Sequence, residues 1–187
     1  MKILVDFIAL IMLYVLCLFK KWQSKGKYAL LVNTTMYVYL SCVLLVTLMP
    51  IITSLPFIFN HPYNMYLVPF DDYLNGRGDT VRQIVLNVIM TVPFGFLFPL
   101  TQKEKNRTFQ RTLLFTFLLS LSIELIQPLI DGGRSCDITD LITNSVGGII
   151  GFIIYVIFKP VTSFVFKRIN EWSNIIRIYT IRKQDNQ

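Results

Sequence analysis

Five apolar runs, each parted from the next by a link of charged or aromatic residues, set the terms on which this chain can fold: Ile3–Phe19, Tyr28–Met49, Ile84–Leu100, Thr112–Ile130 and Ile138–Phe158. About 17–25 apolar residues at 1.5 Å rise per residue cross the hydrocarbon of a bilayer. Within that hydrocarbon every backbone N–H and C=O must be paired inside the protein, so runs of this kind are helices. The expected fold is an all-α membrane protein, a five-span helical bundle. Charges fall between the runs instead of alternating with apolar residues along them, which excludes a bundle of amphipathic soluble helices.

The formal charge of +7 would suit a nucleic-acid binder in a soluble chain, but its distribution points to membrane topology, and no nucleic-acid partner is expected. Lys20, Lys21, Lys25 and Lys27 fill the first link, and Lys103, Lys105, Arg107 and Arg111 the third. Lys159, Lys167, Arg168, Arg177, Arg182 and Lys183 follow the fifth run, so fourteen of the eighteen basic residues share one side. By the positive-inside rule that side is cytoplasmic, which places the N-terminus outside and the C-terminus inside a multi-pass cell-membrane protein. The first run could be read as a secretory signal. It is longer than a typical signal core, no small-residue cleavage pattern follows it, and its stronger positive charge comes after it, so it reads as a retained span. Lys2 and Asp6, four residues apart, are placed to pair at its outer end.

The link from Pro50 to Thr80 is aromatic throughout, with Phe57, Phe59, Tyr63, Tyr66, Phe70 and Tyr73, while Pro56, Pro62 and Pro69 prevent one continuous helix. It reads as a broken interfacial or shallow re-entrant segment over residues 50–80, ending in the turn Asn75-Gly76-Arg77-Gly78. His61 lies there as an interfacial residue. Asn33, Thr34 and Thr35 on the second run suit helix–helix hydrogen bonds. Cys17, Cys42 and Cys136 show no metal or disulfide spacing and read as free thiols, Cys136 being the most accessible. From Val165 onward Ile169, Trp172, Ile176 and Tyr179 keep spacings of three and four. Residues 1–160 thus form the membrane domain, and 161–187 a cytoplasmic amphipathic interfacial helix and tail, drawn to membrane lipid by its basic residues.

The polar exceptions inside the runs carry the functional reading. Glu124 and Gln127 stand one turn apart near the outer end of the fourth run, and Pro128 follows as its expected stop. On the fifth, Asp137, Asp140, Asn144, Gly147 and Gly151 fall on one stripe, acidic and polar above, Gly-x3-Gly below. Asn87 on the third run lies near the depth of Glu124, and Pro93 and Gly95 bend that helix or let it approach a neighbour. These residues with Arg134 from the hairpin are expected to gather into one outward-opening cluster: Asn87, Glu124, Gln127, Arg134, Asp137, Asp140 and Asn144. Asp137 also suits an N-cap, Asp140 the first turn of a helix, and Arg134 the neutralisation of one of them, so for these three a structural role stands beside the functional one. Glu124, inside a helix, has no capping role; a functional part or an internal ion pair with Arg134 accounts for it.

Taken in order, Asn87, Pro93-Phe94-Gly95, Glu124-x2-Gln127 and Arg134-x2-Asp137-x2-Asp140-x3-Asn144-x2-Gly147-x3-Gly151 resemble the VanZ-like family of bacterial membrane proteins, as does the piece Asn64 to Phe70. The resemblance runs from about Asn64 to Phe158. It implies a cytoplasmic-membrane protein that lowers susceptibility to teicoplanin, a lipid-tailed glycopeptide, and it supplies no reaction. Three mechanisms remain open at this level. The cluster binds a lipid, a lipid-linked cell-wall precursor or the lipoglycopeptide itself; or Glu124 acts as acid or base on a lipid-linked substrate, with Glu124, Asp137 and Asp140 as a weak metal-site candidate; or an oligomer transports a substrate. No cofactor is expected.

Overall fold

In the computed structural model the backbone is described for residues 2–58, 63–130 and 134–185, and side chains for the same residues except 2, 166, 170 and 172–185. Five helices are long and apolar enough to cross a membrane. They are α1 (Ile3–Gln23), α2 (Lys27–Thr47), α3 (Thr80–Thr101), α4 (Phe109–Ile130) and α5, which starts at Ile138. Gly26, at φ +100°, makes the tight connection between α1 and α2 that a side chain would strain. A π-turn at Tyr14–Leu18 interrupts α1, and there the Tyr14 hydroxyl meets Thr34 Oγ1 at 2.9 Å while Tyr37 Oη donates to the Leu10 carbonyl at 2.7 Å. Asn33 and Thr35 bond back to Ala29 and Leu31 in their own helix, so of the three polar residues on α2 only Thr34 reaches across.

The most extensive pairing joins α3 to α5, with α4 packed against α5 on another side. Small residues make it possible. A Cβ on Gly147 would strike Thr91 Oγ1 and the Val88 carbonyl, one on Gly151 the Val92 carbonyl, one on Gly95 the Gly148 carbonyl, and one on Gly148 the Thr116 side chain. Apolar clusters fill the remainder: Val32, Leu100 and Tyr155; Met36, Phe94 and Phe98; Val43, Leu48 and Ile123. Pro93 and Pro99 both lie within α3. Pro93 leaves the Ile89 carbonyl without its helical N–H, and at the next carbonyl, Met90, Tyr39 Oη donates at 2.8 Å.

Several expectations change. Pro128 does not end α4, which runs on to Ile130. Asp6 is 3% exposed, and its carboxylate accepts the backbone N–H groups of Ile51 and Ile52, each at 2.9 Å. It therefore pins α1 to the chain beyond Pro50; the Lys2 side chain expected to pair with it lies outside the described residues. α5 is helical without a break through Pro160 to Asp185, and most of the expected apolar stripe, from Trp172 on, falls among side chains outside the described set, as His61 does among residues.

The link between α2 and α3 contains a 3-10 turn at Leu55–Phe57, a two-residue strand β1 (Met65–Tyr66) and a one-turn helix at Asp71–Leu74. β1 pairs in parallel with β2 (Cys136–Asp137), just before α5, so the link is fastened to the α4–α5 hairpin. Cys136 N–H donates to the Asn64 carbonyl and Phe70 N–H to Thr139 Oγ1, both at 3.0 Å. Phe70 has φ +58°, a conformation costly for a bulky residue and held by these flanking contacts. The Asn75–Gly78 turn follows, with Gly76 and Gly78 at positive φ and Arg77 paired to Asp71 and Asp72. Cys136, expected to be the most accessible thiol, is 7% exposed because β2 is covered by β1, whereas Cys17 and Cys42 are exposed.

Candidate functional site

The site is assembled on α4 and α5, which run antiparallel from their short hairpin. Along α4, Thr112, Thr116, Ser120 and Glu124 are spaced by four and are 0–2% exposed, one stripe turned to α5. Two rungs cross the interface. Asn144 Nδ2 donates to Ser120 Oγ at 2.9 Å, and toward the hairpin the Asp137 backbone N–H donates to Glu124 Oε2 at 3.0 Å. Asp137 Oδ1 accepts the Thr139 N–H at 2.7 Å, so it caps α5 as its position suggested. From the other side Thr91 Oγ1 of α3 donates to the Asn144 carbonyl at 2.7 Å. Asn144 is 1% exposed and is held by two helices.

These elements enclose part of a cavity of about 780 Å³, and all seven residues of the expected cluster line it: Asn87, Glu124, Gln127, Arg134, Asp137, Asp140 and Asn144. Glu124 and Asn144 form its buried polar floor. Tyr39, Cys42, Val43 and Val46 of α2 and Leu86, Ile89 and Met90 of α3 make an apolar wall. Val46, Leu86 and Ile89 are 69, 52 and 60% exposed, so this wall continues onto the apolar outside of the bundle. At the hairpin end the rim carries Tyr66, Asp72, Arg134 and Ser135. The cavity thus joins a polar interior to a lipid-like exterior.

The seven residues differ in how far the protein itself uses them. Gln127 Nε2 donates to the Thr47 carbonyl at 3.3 Å, completing the end of α2. Arg134 is exposed and makes no ion pair among the described residues, where the ion pairs are those of Arg77 and Arg82; the pairing expected between Arg134 and Glu124 is replaced by the Asp137 N–H. Asn87 Nδ2 is buried with the Asp140 carboxyl as its neighbour, and Asn144 Oδ1 is buried with no partner among the described residues. Among the described residues no three His, Cys, Asp or Glu side chains converge as metal ligands. Outside the membrane segments, burial raises the Cys136 thiol pKa, and the Glu124 and Asp137 carboxylates push it the same way.

Sequence reasoning missed Thr91, Ser120, Gly148 and the α2 wall. The four-residue spacing of Thr112, Thr116, Ser120 and Glu124 was a legible signal for the α4 stripe, and Gly148 stood beside the Gly-x3-Gly pair. Nothing in the sequence marks Tyr39 or Val46 as cavity wall, since apolar residues face lipid and cavity alike.

No solved structure matches the chain. A curated relative, Protein VanZ of Enterococcus faecium, is 38% identical over 99 residues, covering 52% of this chain and 56% of the relative, so the match spans little more than half of each. The VanZ/LLP1 family model matches residues 6–159, from the Asp6 tether through all five spanning helices and every residue of the cavity cluster. Over that length the chain belongs to the VanZ/LLP1 family of membrane proteins.

Proposed function

We propose that the hairpin end of the bundle faces the cell exterior and that the cavity there binds the polar head of an amphiphile, a membrane lipid, lipid-linked cell-wall precursor or lipoglycopeptide, lowering susceptibility to teicoplanin-type drugs. Fourteen of the eighteen basic residues at the opposite end support the orientation. The observation that carries the binding reading is the cavity itself: a polar floor from α3, α4 and α5 with an apolar wall open to the membrane side. Such a site suits a ligand with a hydrogen-bonding head and apolar chains. Binding is favoured over acid–base catalysis because the hydrogen bond of Glu124 goes to the Asp137 backbone, a contact that sets the hairpin.

The test is teicoplanin susceptibility of a Gram-positive host expressing the chain, against Glu124→Gln and Asp140→Asn at equal membrane abundance. Wild type should raise the inhibitory concentration, and each variant should return it to the level of the empty host. Protection undiminished in both variants would remove the cavity as the working part.

A further inference from the structure

Hydrogen-bond capacity at the cavity floor is lopsided. Glu124 and Asp140 contribute carboxylates, and they face each other across the α4–α5 interface one turn nearer the hairpin than the Ser120–Asn144 rung. Asn144 has its Nδ2 bonded to Ser120, and its acceptor Oδ1 is buried with no hydrogen-bond partner among the described residues, on a residue that lines the cavity. A buried acceptor without a donor is costly, and a buried carboxylate with no cation beside it more so. Among the described residues no cation lies within ion-pair distance of either carboxylate; Arg134, the cavity's one described lining cation, is exposed at the rim. Asn87 Nδ2 is a neutral donor beside Asp140; what the floor lacks is a positive group.

From this geometry we infer that the cavity takes an amphiphile whose head ends in a primary ammonium, three N–H donors directed at Glu124, Asp140 and Asn144 Oδ1, with the phosphate behind it near Arg134 and the chains along α2 and α3. The inference rests on the binding role proposed for this cavity and adds the chemistry of the ligand. A quaternary ammonium carries the charge but cannot donate to Asn144 Oδ1. A glycerol head donates through hydroxyls but leaves the carboxylates uncompensated. An aminoethyl phosphate meets both needs, and its order of charge, ammonium at the tip and phosphate toward the chains, follows the cavity from floor to rim.

The experiment offers the purified full chain in detergent an equimolar mixture of dioleoyl phosphatidylethanolamine, phosphatidylcholine and phosphatidylglycerol, and measures the lipid retained after washing by mass spectrometry. Retention of the ethanolamine lipid should exceed each of the others about tenfold, the ratio expected from one or two hydrogen bonds to charged groups. Asp140→Asn and Asn144→Leu should each bring the ratio near one, with circular dichroism and size-exclusion profiles showing that the variants are folded. If Asn144→Leu fails to fold, Asp140→Asn alone decides, because it is isosteric and leaves in place the Asp140 backbone carbonyl that accepts from Thr143 Oγ1. Equal retention of the three lipids, a preference for phosphatidylglycerol, or a preference unchanged in Asp140→Asn would overturn the ammonium assignment while leaving a lipid-binding cavity. Retention of none would overturn both the assignment and the binding role.

Discussion

The first helix and the α3–α5 pair are both built to cross a membrane, yet they are packed in opposite ways. α1 has the highest mean hydropathy of the five helices, and 6% of its apolar stretch is buried; in α3 and α4 the share is 33%, and in the long α5 it is 12%. Leu4, Ile11 and Leu16 on α1 are 60, 61 and 67% exposed. The residues shielded most completely include Thr91, Thr112, Thr116, Ser120 and Asn144, beside Tyr155, Pro99 and Pro128, together with the glycines at the α3–α5 crossing. The contrast has a physical origin. Lipid tails are as apolar as Leu, so burying Leu between membrane helices gains little, and association depends on close backbone approach and on polar groups that lipid cannot satisfy. In this bundle a helix earns its central position through Gly, Thr and Asn, and apolar content alone leaves it at the edge.

The largest test of that contrast is Gly148→Leu against Leu16→Ala. The leucine would drive into the Thr116 side chain, which is short, β-branched and fully buried and so has little room to move, and overpacking of this kind costs about 3 kcal/mol. The alanine replaces a side chain that meets lipid and should change stability by less than about 0.5 kcal/mol. Thermal unfolding in detergent, followed by loss of soluble folded protein, measures both. Equal effects at the two positions would mean that α1 is packed as firmly as the core.

A smaller effect is expected where α1 is nevertheless fastened. Asp6 is the polar exception on this helix, and its two backbone partners lie 45 and 46 residues away. Asp6→Ala leaves the Ile51 and Ile52 N–H groups without their acceptor, a loss of about 2 kcal/mol. The damage should be local: cleavage by an added protease in the 51–58 segment should quicken while the α3–α5 pair stays folded. Faster cleavage throughout the chain would show that α1 is part of the cooperative core.

The five helices and the acidic-to-glycine stripe of α5 were legible in the sequence because they are periodic: run length gives the span, and spacings of three and four give the face. Asn87 could be set near Glu124 from depth, and Asn144 from its place on the α5 stripe. The partners of Asp6 and of Cys136 could not, because they are backbone groups of Ile51, Ile52 and Asn64, and a backbone group has no side-chain signature. For the same reason the docking of residues 64–70 on the hairpin left no pattern to read. An ion pair of Arg134 with Glu124 is one of the readings the charges allow, yet Glu124 accepts from the Asp137 amide, a donor every residue but proline carries. Side-chain chemistry thus marked which residues belong to the cavity, and backbone pairing decided how they are held.

The smallest predicted effect tests that last point at Cys136, the thiol on the packed side of the comparison. In a Cys17→Ala, Cys42→Ala background, which removes two exposed thiols from the lipid-facing helices, alkylation reports on Cys136 alone. The thiolate is the reactive form. Burial disfavours it, and the nearby Glu124 and Asp137 carboxylates disfavour it further, so the folded-state pKa lies above that of a free cysteine. The rate against pH should therefore rise at higher pH than for a small thiol and should reach the ordinary curve when the protein is unfolded. Because the thiolate is favoured in the unfolded chain, raising the pH between the two pKa values also weakens this part of the fold. Glu124→Gln removes one of the two carboxylates and should move the curve part of the way down, leaving the larger contribution of burial in place. A curve that moves up, or that already coincides with the free thiol in the folded protein, would mean that β1 does not cover Cys136 and that the hairpin is held to the bundle by α4 and α5 alone.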